Sequence, residues 1–337
     1  MRLFVTGAGG FIGRAVVREA LADGHEVVAL VRRPGDAARF EPAPAANGST
    51  PAPPSHRRRL RVVAGDVRHP APWRQDLAGC DAVIHLAASF ADLADQFAVT
   101  VVGTERLLDA MDASGVHRLT LVSTFSVYDY ADLDSRSTLD ETSPVAADPA
   151  RYDDYTVTKI EQERLAREWA ATTDGAELTV LRPGAVYGPG RWWDGGRILS
   201  VGPVAVSAGP RVRMKLIHVD DCARAMVAAA VVPDAVGETL NIVGDDPPTQ
   251  RRFERALRDG GIVDGRSLPI PYAAVKAFSV AVDAVDRHLL GSRARVPWFG
   301  SPARVDAMLR PLRYSNDRAK RVLGWAPQVT LAQAVAP

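Results

Sequence analysis

Three glycines at equal spacing open this chain and narrow what it can fold into. Residues 1–13 read Met-Arg-Leu-Phe-Val-Thr-Gly-Ala-Gly-Gly-Phe-Ile-Gly, which places Gly7, Gly10 and Gly13 three apart. Residues 3–5 are a short apolar run of β-preferring types and read as a buried strand. Residues 11–23 continue with helical periodicity. A glycine-rich turn between a strand and a helix is a phosphate cradle. Its backbone passes close to a pyrophosphate, and the free N–H groups and dipole of the helix N-terminus attract the charge. The spacing here is Gly-x-x-Gly-x-x-Gly, a variant of the dinucleotide fingerprint Gly-x-Gly-x-x-Gly.

Residues 25–31 supply a second strand and close a βαβ unit. That strand ends in Arg32-Arg33-Pro34, with no acidic residue until Asp36. In such a unit the end of the second strand faces the adenosine ribose. An acid there accepts from the 2′-hydroxyl and repels a 2′-phosphate, and arginine does the reverse. The expected cofactor is NADP(H), with Arg32 and Arg33 on the 2′-phosphate and NAD(H) as the alternative.

The 337 residues suit one large α/β domain or a nucleotide domain with a smaller companion. The 41 Lys and Arg nearly balance the 40 Asp and Glu, so charge offers no case for nucleic acid or an anionic membrane. Cys80 and Cys222 make neither a disulfide framework nor a metal site, and no metal is expected. No signal peptide is expected before the first strand, and no stretch has the length and apolarity of a membrane span. The expected location is the cytoplasm.

Residues 40–55, rich in Pro and Ala, read as a mobile excursion from the sheet. Strands follow at 60–64, 81–86, 117–123 and 178–181, with helices at 97–114 and 151–172. This alternation predicts a Rossmann-type, doubly wound parallel sheet. His85, at a strand end, is either a packed strand residue or an acid/base. Past Pro183 the pattern loosens into glycine-punctuated loops around Trp192 and Trp193. Residues 215–219 are strand-like, and Asp220-Asp221 is a candidate cap for a helix at 222–231. A strand at 240–243 can rejoin the first sheet. The apolar helical stretch at 269–290 is interrupted by Lys276, Asp283, Asp286 and Arg287, so a place over a pocket or at a subunit contact is expected, not a membrane anchor. Residues 1–183 are thus expected to bind NADP(H), and 184–337 to form mainly a smaller, mixed substrate-binding region.

Tyr155 and Lys159 lie one helical turn apart on one face. A free tyrosine has a pKa of about 10, and a nearby ammonium favours the phenolate. Such a tyrosine exchanges a proton with a carbonyl or alcohol oxygen. It follows a strand ending in Ser123-Thr124-Phe125-Ser126, where a hydroxyl can hold the reacting oxygen.

In these features, and in Gly65-Asp-Val67, His85-Leu-Ala-Ala88, Val101-Val-Gly-Thr104, Arg182-Pro-Gly-Ala-Val-Tyr-Gly-Pro-Gly190, Ile217-His-Val-Asp-Asp221 and Leu323-Gly-Trp-Ala-Pro327, the chain resembles the extended short-chain dehydrogenase/reductases, also called the NAD-dependent epimerase/dehydratase family. The resemblance implies that Gly7, Gly10, Phe11, Ile12 and Gly13 hold the pyrophosphate and that Asp66 and Val67 contact adenine. It implies that Ala87 and Ala88 lie along the cofactor and that Pro183 borders the nicotinamide. The family places its catalytic hydroxyl four residues before the tyrosine of a Val-Tyr pair. Here the pair is Val127-Tyr128, which points to Thr124. Tyr155 is then the general acid/base, and Lys159 binds the nicotinamide ribose and tunes Tyr155.

The departures narrow the activity. Thr100, Ala185 and Met214 stand where sugar-nucleotide members often carry Asn, Asn and Arg. Phe125-Ser126 stands where sugar 4,6-dehydratases carry an Asp-Glu pair, so dehydration is not expected. The remaining resemblance is to the dihydroflavonol reductase and 3β-hydroxysteroid dehydrogenase branch, which implies a ketone or alcohol substrate of fairly apolar character. Phe90, Ser126, Trp192 and Trp193 are the expected substrate contacts, lid packing being the alternative for the tryptophans. The expected enzyme is an NADP(H)-dependent reductase or dehydrogenase acting as a homodimer. A nucleotide-sugar epimerase using the same three groups is the alternative, and a non-catalytic NADP(H) sensor the third reading.

Overall fold

A computed structural model of the chain describes residues 1–40, 58–192, 196–201, 204–286, 288 and 297–336. Nearly all of the Pro- and Ala-rich excursion, and Trp193, lie outside these residues.

Seven strands form the central sheet: β1 (Arg2–Thr6), β2 (Glu26–Val31), β3 (Leu60–Ala64), β4 (Ala82–His85), β5 (Arg118–Val122), β6 (Glu177–Pro183) and β7 (Thr239–Ile242). Their order is β7-β6-β5-β4-β1-β2-β3, and every pairing is parallel. The strands read as continuous apolar runs because both faces of the sheet are covered. Leu3 and Val5 of β1 point into one layer, with Val27, Ala29 and Val31 of β2. Phe4 points into the other, with Val28 and Leu30.

The first layer is built by α1 (Phe11–Ala22) and α4 (Val219–Val231), which meet through Ala15, Ala223, Met226 and other small or flexible residues. The second is built by α2 (Gly103–Ser114) and α3 (Asp154–Thr172). Trp73 is fully buried in that layer. Its ring lies 5.6 Å from that of Phe4, and its indole N–H donates to the Asp66 carbonyl at 2.8 Å.

Three helices of the two layers on the central sheet start differently from the sequence-based reading. The helix expected at 97–114 begins as a π-helical turn at Phe97–Val102 and becomes α-helical only at Gly103. There the hydroxyl of Thr104 bonds the Thr100 carbonyl, and a Cβ on Gly103 would stand 2.7 Å from Val67. The second departure is the start of α4, which begins at Val219 with His218 as its cap, accepting from the Asp220 amide. Asp221 is buried in the first turn and receives the amides of Gln328 and Val329 instead. Third, α3 starts at Asp154, capped by Asp153 through the Thr156 amide at 2.8 Å.

The strand at 239–242 does pair with β6, so the chain crosses back into the first sheet after position 183. The intervening and later segments form the second region. It contains a three-stranded sheet (Arg197–Val201, Val204–Ala208, Arg266–Ile270), a parallel pair (Ala185–Tyr187 with Leu216–His218) and helices that include Tyr272–Val285 and Pro302–Leu309. No helix among the described residues is long and apolar enough to cross a membrane.

Trp73→Ala removes a fully enclosed indole and leaves a cavity beside β1. The expected cost is about 3–5 kcal/mol, read as a lower urea midpoint. A loss below about 1 kcal/mol would contradict this packing.

Candidate active site

Strand order reverses between β1 and β4, and ligands of open α/β sheets bind where this happens. A cleft of about 750 Å³ opens there, along the carboxyl ends of β1, β4, β5 and β6. Gly7 turns the chain with φ +64°, and a Cβ on it would lie 2.9 Å from the Ala87 nitrogen. A Cβ on Gly13 would lie 2.2 Å from the Gly7 carbonyl oxygen, so only glycine lets α1 approach its own turn. The N-terminus of α1 has no side-chain cap and no acid in its first turn. The amides of Phe11 and Ile12 find no acceptor among the described residues. A cradle of this kind, lined by Gly7, Gly10, Phe11, Ile12 and Gly13, fits a pyrophosphate.

At one end of the cleft stand Arg32 and Arg33, both exposed, with Asp36, Asp66 and Val67. Asp66 accepts from Arg68 through Nη2 at 2.7 Å, Nε at 3.0 Å and the backbone amide. These bonds hold its carboxyl below the usual range against the opposing effect of burial. Ala87 and Ala88 line the middle, and Pro183 the inner end.

Thr124, Tyr155 and Lys159 converge on the same cleft. Thr124 caps a short turn by accepting from the Ser126 amide at 3.2 Å and donates its hydroxyl to Ser126 Oγ at 3.3 Å. Neighbouring Ser123 turns away and donates to Glu163. Phe90, largely exposed, stacks on the Tyr155 ring at 4.8 Å.

The electrostatics differ from the sequence-based reading. Burial pushes the Tyr155 phenol up to about 12, and Asp153 adds to this, while nearby Thr124 and the charge of Arg191 oppose it. Lys159 does not act on the phenol in this state. Its Nζ donates to the Val122 carbonyl at 2.6 Å and to Gln162 Oε1 at 2.5 Å. Desolvation brings its ammonium down to about 7.

Of the expected substrate contacts, Phe90 and Ser126 line the cleft. Trp192 does not. It packs toward Tyr187, ring centres 6.1 Å apart, and lines a separate small cavity. Met214 is likewise buried against Tyr187, Leu216 and Phe253. Trp298, Arg304 and Met308 line the cleft without having been singled out from sequence; Arg191 and Lys215, cations near the positions of Ala185 and Met214 that could serve a substrate diphosphate in their place, line it too. Arg304 and Met308 sit four apart on the helix Pro302–Leu309, one turn along a single face, which is the one signal that could have found them.

Residues 3–243 match the NAD-dependent epimerase/dehydratase family. The chain belongs to that family. It is 33% identical, over 97% of its length and 96% of the relative's, to a 3-diazoavenalumate denitrifying reductase of a Streptomyces species. It is 28% identical, over 99% of its length and 95% of the relative's, to a 4-hydroxy-2-methyl-3-oxo-4-farnesyl-3,4-dihydroquinoline-1-oxide ketoreductase of Stigmatella aurantiaca. In structure it is similar to a dTDP-glucose 4,6-dehydratase of Streptomyces venezuelae solved with NAD, with TM-score 0.69, 25% identity, and coverage of 99% of this chain and 96% of that one. This member is a nicotinamide-dependent oxidoreductase of Rossmann-like fold.

Lys215 is buried, and its Nζ donates to the Ala307 carbonyl with no carboxylate in contact among the described residues. Desolvation lowers its ammonium to about 7. Between that value and the unfolded value near 10.4 the unfolded chain binds more protons, so stability rises with pH across this window. Below pH 7 the fold bears the whole cost. Lys215→Met should therefore stabilise the ligand-free protein at pH 6 by about 1–4 kcal/mol, and by progressively less toward pH 10. Melting curves of both proteins at the two pH values check this; a variant less stable at pH 6 would contradict it.

Proposed function

We propose that the protein is an NADP(H)-dependent reductase or dehydrogenase that interconverts a ketone and a secondary alcohol, with Tyr155 as the general acid/base. One observation carries this reading: Thr124, Tyr155 and Lys159 line one cleft whose other end is the α1 phosphate cradle, and Thr124 acts on the Tyr155 phenol there. Gly7, Gly10, Phe11, Ile12 and Gly13 would hold the pyrophosphate. Arg32 and Arg33 would meet the 2′-phosphate, and Asp66, Val67, Ala87, Ala88 and Pro183 would line the rest of the dinucleotide. Bound NADPH would supply the hydride.

The residues do the remainder. With its phenol held near 12, Tyr155 is protonated at neutral pH, as a proton donor to a carbonyl must be. Thr124 orients the substrate oxygen toward that proton. The carbonyl carbon gains the hydride, its oxygen gains the Tyr155 proton, and the alcohol leaves. Lys159, within reach of the same helix face, would bind the nicotinamide ribose and return positive charge to the phenolate.

The lining of the cleft supports reduction over sugar-nucleotide epimerisation. Ala185 offers no side-chain donor, and Met214 is packed elsewhere. Trp298, Met308 and Phe90 suit an apolar substrate body. Two relatives of near-full coverage bear reductase names. Exposed Phe278 and Val280 on the helix Tyr272–Val285 support the homodimer reading, and two buried, unpaired cysteines support a reducing, cytoplasmic setting.

Tyr155→Phe keeps the ring and removes the proton. Turnover should fall about 10²–10⁴-fold while NADPH affinity stays within a factor of about three. Normal turnover by this variant would overturn the assignment. Arg32→Asp should weaken NADPH binding far more than NADH binding, because it removes a charge-assisted bond to the 2′-phosphate, which NADH does not carry. Equal affinity of the unmodified protein for the two cofactors, measured by fluorescence titration, would refute the preference.

A further inference from the structure

The chain has four lysines. Lys276 pairs with Asp306 at 2.5 Å and Lys320 with Asp245 at 2.6 Å. Lys159 and Lys215 have no carboxylate in ion-pair contact among the described residues, and both line the cleft. Lys159 belongs to the catalytic group. Lys215 does not, and the proposed chemistry leaves it unused.

Its surroundings are specific. Lys215 is 9% exposed. Its Nζ stands 4.2 Å from the centre of the Tyr130 ring and donates to the carbonyl of Ala307, in the last turn of the helix Pro302–Leu309. One turn before Ala307 on that helix is Arg304, whose Nε donates to the Tyr152 carbonyl at 2.6 Å and which also lines the cleft. A ring face and one carbonyl leave a buried ammonium short of acceptors, since it carries three donors. An uncompensated buried charge is costly, and apolar residues of similar volume usually do better. An anionic ligand group would supply the missing partner.

The donors at hand limit the anion. Trp298, Ala307 and Met308 line the same cleft. The Arg304 Nε is already given to the Tyr152 carbonyl, so one ammonium and the remaining guanidinium N–H groups are the donors at hand, a set that a single two-oxygen carboxylate can use. The carboxyl of Asp153, which lines this end of the cleft, is turned to the α3 cap.

Resting on the reductase reading, we propose that Lys215 and Arg304 form an anion subsite, so that the substrate is an oxo or hydroxy carboxylate whose apolar body lies along Trp298 and Met308. Lys215 sets specificity; it does not move the proton. Binding of the carboxylate would favour the ammonium form that burial alone disfavours.

The test compares matched 3-, 4- and 5-oxooctanoates with their methyl esters, using NADPH and the unmodified protein, K215M and K215R. The unmodified protein should favour acids over esters in kcat/KM by about 30-fold or more, the worth of a buried charge-assisted contact. K215M should bring that ratio to within about three-fold of one, and K215R should keep most of it. Esters turned over as well as acids, or an unchanged ratio in K215M, would overturn the subsite. If none of the compounds is turned over, the reductase reading fails, and binding decides the subsite by itself. For that, NADPH-saturated protein is melted with octanoate, methyl octanoate or UDP. Stabilisation by octanoate alone, lost in K215M, supports the subsite; no octanoate shift, an equal shift in K215M, or a shift with UDP overturns it.

Discussion

A buried line of hydrogen bonds ties the glycine turn to the helix that carries Tyr155. It runs from Thr6 through His85, Thr104 and Gln162 to Lys159, with separations of 2.6, 2.8, 2.8 and 2.5 Å. Its protons have one consistent arrangement. The Thr104 hydroxyl donates to the Thr100 carbonyl, so it can only accept from His85 Nε2 and Gln162 Nε2. His85 is then neutral with its proton on Nε2, and Nδ1 accepts from Thr6. Thr6 in turn accepts the amides of Leu86 and Ala87 at 3.1 and 3.2 Å. Full burial, with Lys159 adding to it, lowers His85 to about 3, which keeps the line in this one state over the working pH range. The floor of the cofactor cleft and the position of the Lys159 amine are therefore set together. The π-helical turn at Phe97–Val102 belongs to the same arrangement, because it presents the Thr100 carbonyl to Thr104.

Much of this was legible in sequence because it is local. The glycine turn, the first strand and the first helix are contiguous, and their residues meet as the spacing implies. Tyr155 and Lys159 share a helix face by periodicity alone. The hydroxyl four before Tyr128 lies at Tyr155, whereas its neighbour Ser123 faces Glu163. His85 stood open between packing and chemistry, and only its partners at Thr6 and Thr104 show it to be packed and hydrogen-bonded. What escaped is what depends on distant segments. Trp192 was placed by its aromatic character, but the side it faces depends on how Tyr187 and Phe253 pack. What Lys215 meets is set only by the helix Pro302–Leu309, some ninety positions later, whose Ala307 carbonyl accepts from it. The behaviour of Tyr155 escaped for a related reason: spacing puts an ammonium near it, but Val122 and Gln162 decide where that ammonium points.

Buried charge in this molecule divides into two kinds. Arg182 is almost fully enclosed, and Glu163 answers it with two bonds at 2.9 and 2.7 Å, while the Tyr128 ring covers its face at 4.7 Å. Asp306 is answered by Lys276 and Arg310, and Asp221 by Arg224 and two backbone amides. These pairs join β6, α3, α4 and the C-terminal segments, and each leaves little net charge inside the protein. Buried Asp129 is answered by the Tyr152 hydroxyl and the Ala131 amide, whereas Lys159 and Lys215 have no carboxylate in ion-pair contact among the described residues, and both lie in the cleft. Lysine, unlike arginine, tolerates such a place because it can give up its proton. The fold thus answers these architectural charges with ion pairs or hydrogen bonds and leaves the two cleft lysines without a carboxylate partner among the described residues. Each of these destabilises the empty protein and gains from an anionic or electron-rich partner. Binding energy is then concentrated where a ligand carries negative charge, so the same burial that weakens the empty fold sharpens its choice of ligand.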